Sequence, residues 1–148
     1  MCIRDRAKIE LVSSNDLALV EEEYIKREDV RQIQIEAFVN TGASMLVINE
    51  NIKRQLALEV LGRQKAILAD GSEKEVEVVG PIEVRFKTRR TTVEALVAPD
   101  NSKVLLGTIP IAGMDVVIDT IKQEMRLPPS RPYIARTMLP GIRLKNSK

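Results

Sequence analysis

The chain has 148 residues, a net charge of +2 and 44% hydrophobic residues, which together suit one globular domain with a sizeable core. It has no histidine and a single cysteine, which excludes Ser-His-Asp and Cys-His catalysis and the usual zinc sites. The small net charge, the 3% aromatic content and the shortness of every apolar run argue against nucleic-acid and membrane partners, and with no visible signal peptide we expect a cytoplasmic protein.

The first part of the chain, residues 1–30, predicts one strand and one helix. Residues 8–12 (KIELV) have the composition of a short strand. Residues 16–26 predict a helix, because apolar side chains recur there at helical spacing as far as Tyr24. We therefore expect Tyr24 in the core or at an interface.

Two short strands follow. Residues 31–39 alternate between apolar and polar side chains, which predicts a strand with one buried face. Residues 45–48 (MLVI) predict a buried strand, and Asn49 is in place to cap a two-turn helix over residues 50–57.

Hairpins dominate the next region. Asp70-Gly71 is a strong turn signal between two β-prone runs, which predicts a hairpin over residues 65–80. Gly80-Pro81 is expected to end that hairpin.

The remaining strands also form hairpins. One is expected to turn at residues 87–91 (KTRRT) and another to cover 114–127, with Asp115 and Asp119 at its ends. Residues 128–148 are rich in proline and predict an extended arm that packs on a surface or a partner. Many short strands with one or two short helices predict an all-β domain.

A small polar loop stands between two apolar runs in AFVNTGASMLVI, residues 37–48. A tight glycine turn in which Thr41 and Ser44 bond backbone groups explains this loop without any chemistry. An unrelated small β-barrel with such a loop is therefore one interpretation of the chain.

The loop and its surroundings also resemble the retropepsin-like aspartic proteases. In that family two apolar residues precede Asp-Thr-Gly-Ala and an apolar strand follows, as around NTGA here. The tip ADGS stands in the place of the family's flap, VLLGTIPI matches the apolar pair and glycine ahead of a short helix, and MDVVIDTIKQEMRL matches the closing hairpin. The resemblance covers residues 31–127 and is strongest to small prokaryotic and archaeal members, in which residues 1–30 are an N-terminal extension.

This resemblance implies a closed β-barrel of the acid protease fold, completed as a two-fold dimer without metal or cofactor. It implies that the barrel hydrolyses peptide or protein substrates with two aspartates, one from each copy, that share a proton. By residue-for-residue match, the catalytic positions are Asn40, Thr41 and Gly42, and the substrate-binding positions are Ala43, Ser44, Ala69, Asp70 and Gly71.

The chain departs from the family pattern at Asn40, which stands where the family has its catalytic aspartate. An amide has the shape of a carboxylate but does not titrate in the working range, so it cannot serve as the general base. We therefore expect the chain as written to be inactive. Two origins fit: a deliberate substitution in an endopeptidase, or a natural pseudoprotease that binds peptides or assists assembly.

Overall fold

The computed structural model describes residues 2–68, 70–99, 102–119, 121–122 and 124–139. The strands, in chain order, are β1 (Cys2–Ser13), β2 (Gln32–Asn40), β3 (Leu46–Asn49), β4 (Glu59–Ile67), β5 (Glu73–Phe86), β6 (Arg89–Ala98), β7 (Leu105–Leu106), β8 (Val117–Asp119) and β9 (Glu124–Arg126). The helices are α1 (Ser14–Glu21), α2 (Glu50–Gln55) and α3 (Thr108–Met114), with a short 3-10 turn at Arg27–Asp29. The described residues thus hold one more α-helix than the one or two expected.

Six strands close into a barrel in the order β1-β2-β7-β3-β6-β5, and β5 returns to β1. The closing pair is antiparallel and joins residues 10–13 of β1 to residues 82–85 of β5. Within the described part of the chain, strand β4 lies outside the barrel and pairs only with the first half of β5. Strands β8 and β9 form a small separate sheet. The expected all-β closed barrel is confirmed. No helix in the described part of the chain is long and apolar enough to cross a membrane.

Apolar and polar side chains alternate along β2 because one face of the strand lies in the barrel core and the other faces outward. Ala37 and Val39 are buried in the barrel, whereas Glu36 on the other face is exposed. Successive side chains of a strand point to opposite faces, so every second residue enters the core. The barrel core is built from buried side chains of seven strands: Ala7, Ile9, Leu11, Ala37, Val39, Leu46, Ile48, Val79, Ile82, Val84, Phe86, Ala95, Val97, Leu106 and Met125.

The N-terminal segment contributes a wall of the barrel. Strand β1 begins at Cys2 and not at residue 8, and it pairs antiparallel with β2, so that Arg6 lies opposite Phe38. Composition alone could not show this, because the partner strand is about thirty residues away.

Helix α1 is shorter than expected. The Ser13 hydroxyl accepts a hydrogen bond from the Asp16 backbone N–H at 3.2 Å and caps its start. The chain leaves the helix after Glu21, and Glu23 adopts the left-handed conformation (φ 62°), which helices tolerate only at their ends. Tyr24 therefore lies beyond the helix and is 76% exposed, so the prediction of a core position was wrong.

Strand β5 runs through Gly80-Pro81, where we expected the chain to break. The pairing with β6 is interrupted by a bulge between Val79 and Ile82 and then resumes. A bulge leaves one residue of the strand out of the hydrogen-bond ladder. Proline is tolerated there because it has no N–H to donate to the neighbouring strand.

The turn between β5 and β6 consists of Lys87 and Thr88, so the two arginines of KTRRT begin β6. Arg90 pairs with Glu83 across the hairpin at 3.1 Å. The Arg89 side chain is almost fully buried and reaches the backbone of the C-terminal arm.

The first residues of the arm are clamped onto the barrel. Asp115 caps the end of α3 in the left-handed conformation (φ 52°). We had expected it at one end of a hairpin instead. Its carboxylate accepts hydrogen bonds from Arg131 Nε at 2.9 Å and Nη2 at 3.0 Å, and from the Arg136 backbone N–H at 2.8 Å. The buried Arg89 guanidinium donates to the backbone oxygens of Asp115 and Arg131.

Removing this clamp is expected to release the arm. In the variant Arg131→Gln the bidentate bond to Asp115 is lost, and we expect chymotrypsin to cut after the exposed Tyr133 several times faster than in the parent chain. Cutting after Tyr24, which is equally exposed, provides an internal reference. The matched control is Arg63→Gln, which breaks an exposed pair with Glu75 on the β4–β5 hairpin. An unchanged rate at Tyr133 would contradict the clamp.

The clamp is also expected to persist in mild acid. Hydrogen bonds from the Arg131 side chain, and then from the Arg136 backbone, hold the pKa of Asp115 well below its ordinary value of 3.8. A lowered carboxyl pKa contributes stability that is complete above the ordinary value and is lost only as the pH falls through the lowered one.

Candidate functional site

The loop between β2 and β3 is a tight turn built on Asn40. The Asn40 side-chain oxygen Oδ1 accepts a hydrogen bond from the Gly42 N–H at 2.9 Å. The Asn40 backbone oxygen accepts from the Ala43 N–H at 3.2 Å. A Cβ at position 42 would lie 3.1 Å from Oδ1, so a larger residue would press on the Asn40 side chain. The loop therefore holds the amide of Asn40 in one orientation.

Helix α3 supports the loop from behind. The N–H of Thr108 donates to the Ala43 oxygen at 3.0 Å, and the N–H of Ile109 donates to the Ser44 oxygen at 2.8 Å. The first N–H groups of a helix have no partner within the helix, so the loop supplies partners that the helix lacks. This fixes the loop to the barrel independently of the side chains it carries.

Gly107 makes this contact possible. A Cβ there would lie 2.4 Å from the Met45 oxygen and 2.7 Å from the Ser44 carbonyl carbon, which are backbone atoms. Strand β7 ends at Leu106, just before this glycine, directly behind the loop.

The outer side of the loop is open. Gly42 and Ser44 are exposed, whereas Asn40, Thr41 and Ala43 are half-buried. A second molecule can therefore approach the loop from the side that faces away from α3.

The tip of the β4–β5 hairpin is a separate exposed turn. Asp70 accepts hydrogen bonds from the hydroxyl and the backbone N–H of Ser72, and these bonds lower the pKa of Asp70. Gly71 adopts a left-handed conformation (φ 85°), and its N–H donates to the Leu68 oxygen. Asp70 thus forms the turn that the Asp70-Gly71 signal predicted. The predicted binding residue Ala69 lies outside the described residues.

A family model described as "gag-polyprotein putative aspartyl protease" matches residues 29–110 of the chain. The match includes both the loop built on Asn40 and the turn at Gly107 behind it. The chain belongs to this family. Its barrel is a retropepsin-like aspartic protease domain.

Two solved structures resemble this retropepsin-like domain. The solution structure of the protease of Simian Foamy Virus (mac) has 14% sequence identity and a TM-score of 0.46, and the match covers 73% of this chain and 92% of that one. The crystal structure of the retroviral protease-like domain of Ddi1 from Leishmania major has 14% identity and a TM-score of 0.50, and the match covers 84% of this chain and 89% of that one. The second likeness shows the fold. No curated protein matched the sequence.

Two side chains beside the loop of the retropepsin-like domain escaped the sequence analysis. Phe38 lies two residues before Asn40 on the same face of β2, and Lys103 extends over its ring. The available signal was that an aromatic residue shares a face with Gln34 and Glu36, where polar side chains are expected.

Proposed function

We propose that the retropepsin-like domain forms a two-fold dimer whose paired loops, residues 40–44, bind an extended peptide, and that Asn40 prevents its hydrolysis. The observation that carries this proposal is the hydrogen bond from the Gly42 N–H to Asn40 Oδ1 at 2.9 Å. A carboxylate oxygen accepts that bond equally well. The loop therefore has the shape that an aspartate requires and lacks only the titratable group.

The requirement for two copies follows from the chemistry. Hydrolysis of a peptide bond by carboxylates needs one group to take a proton from water and another to protonate the carbonyl oxygen. Two adjacent carboxylates divide these roles, because their repulsion separates their pKa values. The chain has only one such loop, and the loop's outer side is open, so a symmetric pair is the arrangement that brings two together.

The β4–β5 hairpin is the element that we propose closes over the peptide. Its side chains Ile67 and Leu68 are exposed, at 75% and 39%. Apolar side chains at a hairpin tip gain burial when a peptide lies beneath them. The hairpin would then exclude water from the site and read the peptide as an added strand.

The dimer is tested by sedimentation velocity over a wide concentration range, with and without a statine-containing peptide as a non-cleavable ligand. We expect a species of twice the chain mass, favoured by the peptide, because a ligand that binds only the dimer stabilises it. A chain that stays monomeric at high concentration with the peptide present would refute the proposal.

The same observation is compatible with a second function. Because the amide of Asn40 already has its hydrogen bond, the fold tolerates it, and the domain can serve as a peptide-binding or assembly module that never cleaves. The two functions differ in one respect: an endopeptidase becomes active when position 40 is aspartate, and a module that has lost other parts of its site does not.

A further inference from the structure

An aromatic ring that contacts two cations lies next to position 40. Phe38 and Asn40 are two residues apart on β2, so their side chains point to the same side of the strand, about 7 Å apart along it. Lys103 Nζ lies 4.6 Å from the centroid of the Phe38 ring, and Arg6 Cζ lies 5.3 Å from it. Both distances are within the range of a cation–π interaction.

The backbone on both sides of Lys103 is anchored. The Ser102 oxygen accepts a hydrogen bond from Asn49 Nδ2 at 2.9 Å. The Val104 oxygen accepts one from the Phe38 N–H, also at 2.9 Å. Lys103 is therefore presented from a fixed segment over the Phe38 ring, unlike a lysine on a free loop.

The charges around the ring leave one cation available. Arg6 is paired with Glu36 at 3.5 Å. Lys103 has no ion pair or hydrogen bond with any of the described residues, and its ammonium lies over the Phe38 ring. Arg6, Glu36 and Lys103 together carry one net positive charge.

Arg6, Phe38 and Lys103 are among the residues that line an open groove of about 770 Å³. Glu36 and the amide-bearing side chains of Asn51 and Gln55 on α2 also line the groove. Its volume falls in the range of about 300–1,000 Å³ typical of ligand sites, which is ample for one side chain of a bound peptide.

We propose that this groove, which we call the Lys103 subsite, selects an acidic side chain, aspartate or glutamate, in the peptide bound at position 40. The proposal rests on the proposed function, since it concerns the peptide held by the paired loops. A carboxylate placed there meets the ammonium of Lys103, while its methylene groups lie against Phe38. Because the dimer has two-fold symmetry, the same subsite occurs on each side of the central peptide bond, so one acidic residue is favoured on either side.

The test uses the chain as it is, with Asn40, so that binding is measured without cleavage. Two fluorescein-labelled octapeptides of valine and leucine differ only in their two central residues, Glu-Glu or Gln-Gln, and fluorescence anisotropy gives their affinities. We expect the glutamate peptide to bind about 3- to 5-fold more tightly for each subsite occupied, the upper range of exposed ion pairs. The difference should shrink when the salt concentration rises from about 0.1 M to about 1 M.

The variants assign the effect to one side chain. Lys103→Gln should abolish the preference, and Lys103→Glu should reverse it in favour of a Lys-Lys peptide. Lys103 is exposed, so both variants are expected to fold. The matched control is Lys87→Gln, which removes a lysine 5.3 Å from the Phe86 ring at the β5–β6 turn and should keep the preference.

The outcomes separate the two proposals. Equal affinity for the glutamate and glutamine peptides, or a preference that survives Lys103→Gln, overturns the Lys103 subsite and leaves the proposed function standing. If none of these peptides and no statine-containing peptide binds, the proposed function fails and the subsite fails with it.

Discussion

Replacing Asn40 with aspartate is expected to turn the chain into an active endopeptidase. The two side chains have nearly the same shape, and a carboxylate oxygen can accept the hydrogen bond that Asn40 Oδ1 now accepts from the Gly42 N–H. The loop is fixed to α3 through the backbone oxygens of Ala43 and Ser44, which the substitution does not touch. The variant should therefore differ from the parent chain in chemistry and not in structure.

The expected gain in cleavage rate is large because position 40 changes in both copies of the proposed dimer at once. General acid–base catalysis by one positioned group contributes about 10²–10⁴-fold, and the proposed dimer would acquire two carboxylates. We expect Asn40→Asp to cleave a denatured protein mixture between about pH 4 and pH 7, a range set by ordinary and raised carboxyl pKa values. Mass spectrometry of the peptides at each pH measures the cleavage, and the parent chain should yield none.

The control experiments distinguish this gain in peptide cleavage from a general effect of adding a negative charge. Asn15→Asp makes the same chemical change at an exposed position of α1 and should remain inactive. A statine-type inhibitor should block the cleavage by Asn40→Asp. If that variant folds, dimerises and binds the inhibitor yet cleaves nothing, the endopeptidase assignment is wrong and the peptide-binding module remains.

Replacing Gly107 with alanine is expected to cause the largest loss of stability of any single methyl addition that we propose. The new Cβ would lie 2.4 Å from the Met45 oxygen and 2.7 Å from the Ser44 carbonyl carbon. Both are backbone atoms of the loop, so no side-chain rotation relieves the clash, and either the loop or α3 must move. We expect a cost at or above the upper end of the about 1–3 kcal/mol typical of overpacking, measured by urea unfolding.

Two other glycines calibrate this result. At Gly62 in β4 a Cβ meets nothing within 4 Å, so Gly62→Ala should be close to neutral. At Gly113 the Cβ approaches the Thr91 hydroxyl at 2.4 Å, and that side chain can rotate, so the cost should be intermediate. Equal stability of the Gly107 and Gly62 variants would refute the contact between the loop and α3.

The Gly107→Ala substitution should also weaken ligand binding at the candidate site. Displacing the carbonyl oxygens of Ala43 and Ser44 moves the loop that orients position 40. In the Asn40→Asp background, any folded Gly107→Ala protein should therefore bind the statine-containing peptide more weakly, whereas the Gly62→Ala protein should bind it normally.

Local patterns in the sequence determined the features whose causes lie within a few residues. The alternation in residues 31–39 predicted which side chains of β2 are buried. Asn49 caps α2 as expected, with its Oδ1 accepting from the Ile52 N–H at 2.9 Å. The Asp70-Gly71 turn was likewise predicted, because turn chemistry depends on the turn residues themselves.

The tertiary structure decided what depends on partners far apart in the chain. Alternation shows that a strand has a buried face but does not name the neighbouring strand, so the closure of the barrel by β1 and β5 and the parallel pairing of β3 with β6 could not be predicted. The burial of Arg89 depends on an arm more than forty residues later. The features around position 40 likewise fall into those given by the sequence and those made by the fold. The asparagine at position 40 is written in the sequence. The glycine that supports its loop by close backbone contact, and the lysine that stands over its neighbouring ring, come together only when the chain has folded.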